Sequence, residues 1–120
     1  MQARILVVDT DRALRALLEE WLESLGRVVE QSDDANADDA GSRVDLVIVD
    51  VPNPKRDGCD LLKKLADAHP GIPIIALSST FFPRIESTGG VARTLGVACV
   101  LPKPVGRESL ITAVRSLLPR

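Results

Sequence analysis

The chain predicts an α/β fold built on a single doubly wound, five-stranded parallel sheet with helices on both faces. Short apolar runs alternate with amphipathic stretches along its whole length, the pattern of repeated strand–helix units. Three of the runs, Ile5-Leu6-Val7-Val8, Leu46-Val47-Ile48-Val49 and Ile74-Ile75-Ala76-Leu77, are continuously aliphatic, as strands covered on both faces require. Two Phe, one Trp and no Tyr make the core aliphatic as well. A length of 120 residues gives one domain, residues 1–120, with a single core.

The elements follow in order. Arg4–Val8 is the first strand. Leu14, Leu17, Leu18, Trp21, Leu22 and Leu25 then recur at helical spacing as one apolar stripe, and Gly26 closes that helix. Val28–Gln31 is a short strand whose Glu and Gln suit an edge. The acidic, alanine-rich stretch 33–42 forms a short helix. Leu46–Asp50 is the most buried strand. Cys59–His69 places Leu61, Leu62 and Leu65 on one helical face and stops before Pro70, because the residue before a proline disfavours helical geometry. Ile72–Leu77 is the fourth strand. Pro83 and Gly89-Gly90 interrupt any period across 79–95, which predicts a loop and a short helix. Ala98–Leu101 is the fifth strand. Leu110, Ile111, Val114, Leu117 and Leu118 line the final helix.

Charge and composition exclude several classes. A net charge of −2 gives no electrostatic footprint for nucleic acid or an anionic membrane. Cys59 and Cys99 lack metal-ligand spacing and read as reduced thiols of a cytoplasmic protein. No apolar run approaches the length needed to span a bilayer. The cluster Asp33, Asp34, Asp38 and Asp39 reads as a solvated face, Trp21 as core, and His69 as a helix-end or surface residue. Lys55 and Arg56 read as solvated.

The chemistry-bearing residues sit where the strands end. The first strand runs into Asp9, the third into Asp50, the fourth into Ser78, and Lys103 follows the fifth. Right-handed crossovers favour the strand order 2-1-3-4-5, in which strands one and three are neighbours at the switch point where ligands bind beyond the carboxyl ends. That order sets Asp9 beside Asp50, with Ser78 and Lys103 flanking. Two carboxylates, a hydroxyl and an ammonium in one crevice suit a phosphoryl group held with a divalent cation.

This ordered set resembles the receiver domain of two-component response regulators, a flavodoxin-like fold, over the whole chain. The matching positions are Asp9, Asp50, Pro54, Asp57-Gly58, Ser78 and Lys103-Pro104. The resemblance implies that Asp50 is the phosphoacceptor, charged by a histidine kinase or a histidine phosphotransfer protein. It implies that Lys103 pairs with Asp50 at rest and with the phosphoryl group afterwards, and that Ser78 senses that group. Mg2+ would be held by Asp9, Asp50 and the Pro52 backbone carbonyl, with Thr10 or Asp11 as further candidates. The face formed by the fourth helix, the fifth strand and the fifth helix would meet a downstream protein. The receiver stands alone or belongs to a larger regulator or hybrid kinase.

Two departures from the family pattern bear on function. The acidic pair is expected as adjacent carboxylates, whereas the sequence reads Asp9-Thr10-Asp11. Thr10 removes one negative charge from the cation site and should weaken binding there. Asp11 reads as the N-cap of the first helix. Second, Val100 stands three residues before Lys103, where family members commonly carry an aromatic that rotates inward on activation. Both departures point toward an alternative, a pseudo-receiver that works by phosphorylation-independent contacts. A third class, an Asp-x-Asp phosphatase of the haloacid-dehalogenase type using Asp9 and Asp11, lacks its usual flanking residues and its later acidic motif.

Overall fold

The computed structural model describes residues 3–8, 12–31, 44–51, 57–78, 89–103 and 105–118. Within them the chain runs β1 (Ala3–Val8), α1 (Arg12–Leu22), β2 (Gly26–Gln31), β3 (Leu46–Asp50), α2 (Asp57–Ala68), β4 (Ile74–Ser78), α3 (Gly90–Leu95), β5 (Cys99–Pro102) and α4 (Arg107–Leu117). The helix expected over 33–42 lies outside the described residues.

All five strands are parallel and ordered β2-β1-β3-β4-β5. The order follows from sequence physics: parallel neighbours need long crossovers, and among the described residues α1 lies between β1 and β2 and α2 between β3 and β4. Alternation along each strand then sorts the side chains. Leu6, Val8, Val47, Val49, Ile74, Ala76 and Val100 join Leu62 and Leu65 of α2 and Ala92 of α3 on one face. Ile5, Val7, Leu46, Ile48, Ile75, Leu77 and Leu101 join Leu18 and Leu22 of α1 and Leu110 and Val114 of α4 on the other. Burying each such side chain contributes roughly 1.5–3 kcal/mol, and both layers are needed because β3 and β4 have no solvent face.

Some boundaries differ from those the sequence predicts. Gly26 does not close α1. That helix ends at Leu22, the Leu25 N–H donates to the Leu22 carbonyl, and Gly26 opens β2 opposite Ala3. Pairing with β1 therefore extends the strand back beyond Val28. Leu17 leaves the expected stripe and is 42% exposed. Five apolar positions on α1 span more of the helix surface than the core covers, so the outermost faces water. Trp21 is only partly buried, at the margin of the core. Strands β4 and β5 each sit one or two residues later than predicted, which carries Ser78 and Pro102 into the ladder.

At the amino ends of the central strands β1 and β3 a side chain holds the pairing. The Asp45 carboxylate accepts the Arg4 backbone N–H at 2.9 Å, while the Asp45 N–H donates to the Arg4 carbonyl at 2.8 Å. This reciprocal pair fixes the start of β1 against the start of β3. Hydrogen bonds to a charged acceptor stabilise by about 1.5–3 kcal/mol. Replacing Asp45 with Ala should therefore lower unfolding free energy by roughly 1–3 kcal/mol, and Asp45→Asn, which keeps an acceptor, by less. Urea denaturation of the two variants checks the order; equal stabilities for wild type and Asp45→Ala would contradict it.

Candidate functional site

The described part of the site lies at the carboxyl ends of β3, β4 and β5. Asp50 is the last residue of β3 and faces Leu77 in the ladder, and Ser78 ends β4 opposite Pro102. Lys103 follows β5 directly. Register does this positioning: one apolar strand after another stops at the same level, so whichever residue follows is delivered to the same rim.

Two of the sequence-predicted residues meet. The Lys103 ammonium donates to Asp50 Oδ2 at 3.0 Å. The two side chains are 24% and 17% exposed, so the pair is sheltered yet open to a small ligand. Ser78 is fully buried beside them in the ladder. Asp9, Thr10, Asp11, Pro52, Pro54 and Pro104 lie outside the described residues, and for Asp57 and Gly58 only the helical backbone of α2 is described. Val8 pairs with Val49, so the residues directly preceding Asp9 and Asp50 in sequence are ladder partners.

Main-chain bonds tie the same three strand ends together. The Val51 N–H donates to the Leu77 carbonyl at 2.7 Å, and the Lys103 N–H donates to the Ser78 carbonyl at 3.0 Å. Val51 itself is fully buried. No sequence signal announces these bonds, because every residue but proline carries the same backbone groups.

Chemically, the arrangement offers a partly exposed carboxylate with a cation already against it. A lysine is a compact charge with three donors, able to follow an oxygen that moves. Among the described residues no three His, Cys, Asp or Glu side chains gather as a metal cluster. The donors that the family resemblance implies for a cation are the Asp9 and Asp50 carboxylates and the Pro52 carbonyl, with the Thr10 hydroxyl or the Asp11 carboxylate as further candidates. All are oxygens, and hard cations such as Mg2+ take oxygen ligands, so the donor chemistry fits.

Known proteins resemble this chain along most of its length. A family model for the response regulator receiver domain matches residues 5–115. The transcriptional regulatory protein CpxR of Escherichia coli K12 is 36% identical over 119 residues, which are 98% of this chain and 50% of that protein. The response regulator MprA of Mycobacterium sp. strain KMS is 37% identical over 123 residues, covering 100% of this chain and 52% of its own length. The chain spans about half the length of the curated relatives it matches. Among solved structures, a CheY-like response regulator receiver domain from Methylobacillus flagellatus is 26% identical with TM-score 0.73, covering 98% of this chain and 99% of that one. The chemotaxis protein CheY4 of Vibrio cholerae, 24% identical with TM-score 0.76 over 98% of this chain and 100% of its own, shares the fold.

Val100 is fully buried between Ala76 and the α3 side of the core. A ring there would displace its neighbours if the layer is packed at the usual density of protein interiors. Overpacking of this kind costs about 1–3 kcal/mol, and Val100→Phe should lower stability by that amount in a denaturant titration. Unchanged stability would reveal a pocket beside position 100.

Proposed function

The chain belongs to the response regulator receiver domain family of two-component signalling, and from that premise we propose that residues 1–120 act as one receiver domain that accepts a phosphoryl group on Asp50. The observation that carries this reading is the Lys103 ammonium 3.0 Å from Asp50 Oδ2 at the carboxyl edge of the sheet. The donor is a phosphohistidine of a kinase or phosphotransfer protein. An Asp50 carboxylate oxygen attacks phosphorus, the P–N bond breaks, and its electron pair returns to the imidazole. Little covalent work is asked of the protein. Phosphoryl transfer depends on position and on neutralising spread charge, and Lys103 supplies a fixed positive charge on the attacking side.

Receiver domains of this family generally bind Mg2+. Here Asp50, Asp9 and the Pro52 carbonyl would hold it, with Thr10 or Asp11 alongside, and when bound it supplies further charge neutralisation. Thr10 leaves that ligand set one carboxylate short. Ser78, at the end of β4, is the hydroxyl placed to sense the new phosphoryl group. The response leaves through α3, β5 and α4, which correspond to the fourth helix, fifth strand and fifth helix read from the sequence. The encounter with the donor belongs to the cytoplasm under this reading; no helix among the described residues is long and apolar enough to cross a membrane.

Intact mass after incubation with phosphoramidate and Mg2+ tests the reading. The wild type should gain one phosphoryl group and Asp50→Asn none. An adduct that survives Asp50→Asn would move the acceptor elsewhere. A wild type that gains none, even from kinase, would favour a module working through contacts alone. Thr10→Asp restores a carboxylate and should tighten Mg2+ binding on the order of tenfold, because ligand charge tunes affinity. A magnesium titration showing no change would refute the role given to Thr10.

A further inference from the structure

Helix α1 carries its charges against its own dipole. A helix favours acidic residues in its first turn and basic ones in its last, because its amino end is partly positive and its carboxyl end partly negative. The first turn of α1 has no acidic residue and opens on Arg12. Its last turn has no basic residue and holds Glu19 and Glu20, with Glu23 directly after it. Arg12, Glu19, Glu20 and Glu23 are all exposed, so packing against the core does not account for the arrangement.

The same helix leaves apolar surface uncovered. Leu18 and Leu22 are fully buried, whereas Leu17, at 42%, is the one exposed large hydrophobic among the described residues. Helical spacing puts Ala13 and Glu20 on the Leu17 side of α1, with Ala16 beside them, and all three are exposed. Two alanines let a second helix approach closely, since the side chains at a helix contact set the distance between axes.

An exposed apolar centre between a basic end and an acidic end is complementary to itself. Arg12 and Glu23 stand about three turns apart and therefore on the same margin of the helix. In an antiparallel pair centred just beyond Leu17, the two Leu17 side chains meet, and position 12 of each helix is level with position 23 of the other. One two-fold axis makes both end contacts. We propose that α1 is a self-association face on which a second copy of this chain docks antiparallel, Leu17 against Leu17 and Arg12 against Glu23 at each end. A partner with charge alone would leave Leu17 in water, and one with apolar surface alone would leave the charges unmatched; a second copy carries both in matching order. The pairing also brings acid to the basic end and base to the acidic end, which offsets the unfavourable dipole arrangement. It uses neither Asp50 nor Lys103 and does not rest on the receiver reading. One helix from each copy makes a small interface, so the association is weak and depends on concentration.

The test is sedimentation equilibrium on the whole chain, without phosphodonor or Mg2+, from about 10 µM to about 1 mM. The wild type should pass from monomer to dimer with a Kd on the order of 100 µM. Raising salt to about 1 M should weaken the dimer several-fold, because the end contacts are between exposed charges. Leu17→Ser and Arg12→Glu should each weaken it by about tenfold or more, the second by setting like charges together. Combining Arg12→Glu with Glu23→Arg re-forms both end contacts with the signs exchanged and should return the Kd to within about threefold of wild type. Circular dichroism and a urea midpoint for each variant separate a lost dimer from a lost fold; Arg12→Glu should be at least as stable as wild type at low concentration, since an acid suits that end of the helix. A wild type that stays monomeric throughout, a dimer indifferent to Leu17→Ser or Arg12→Glu, or no rescue by the exchanged pair would overturn the proposal. A monomer that still takes phosphate on Asp50 keeps the receiver reading and loses this one.

Discussion

The contact on which the rest of the site depends is the ion pair between Lys103 and Asp50. Stability alone gives no reason for it. A sheltered ion pair returns little of what it costs to desolvate, and apolar residues of similar volume often do as well. Its two members are the residues at the carboxyl edge whose charges face one another across three strands. Each is held from behind by buried aliphatic residues: Val51 after Asp50, and Leu101 before the turn to Lys103. Main-chain bonds from Val51 to Leu77 and from Lys103 to Ser78 hold the pair in place, the support a group-transfer site needs.

Much of the fold was legible because its signals are strong. Uninterrupted aliphatic runs specify strands buried on both faces, and the order β2-β1-β3-β4-β5 then follows from right-handed crossovers. The convergence of Asp50 and Lys103 was legible for the same reason, since each follows a strand of that sheet. What escaped the sequence was set by tertiary context. Gly26 has the signature of a helix cap, yet pairing with Ala3 makes it the first residue of a strand. Leu17 has the period of a core residue, yet nothing in the fold covers it fully. The main-chain bonds from Val51 and Lys103 carry no residue signature at all.

Under the proposed reading, Thr10 and Val100 bear on different steps. Under that reading, Thr10 would bear on the charge available to a cation and hence on the ease of phosphoryl transfer. Val100 concerns what happens afterwards. A fully buried valine packed among valines and leucines leaves no ring there to rotate.

The central claim is that Asp50, held against Lys103, is the residue that carries the phosphoryl group. Borohydride reduction of the phosphorylated chain, followed by peptide mapping, locates it directly, because an aspartyl phosphate is reduced to homoserine. The account predicts homoserine at position 50 and at no other aspartate. Homoserine at Asp9 or Asp11, or label on a residue that borohydride does not convert, would contradict it.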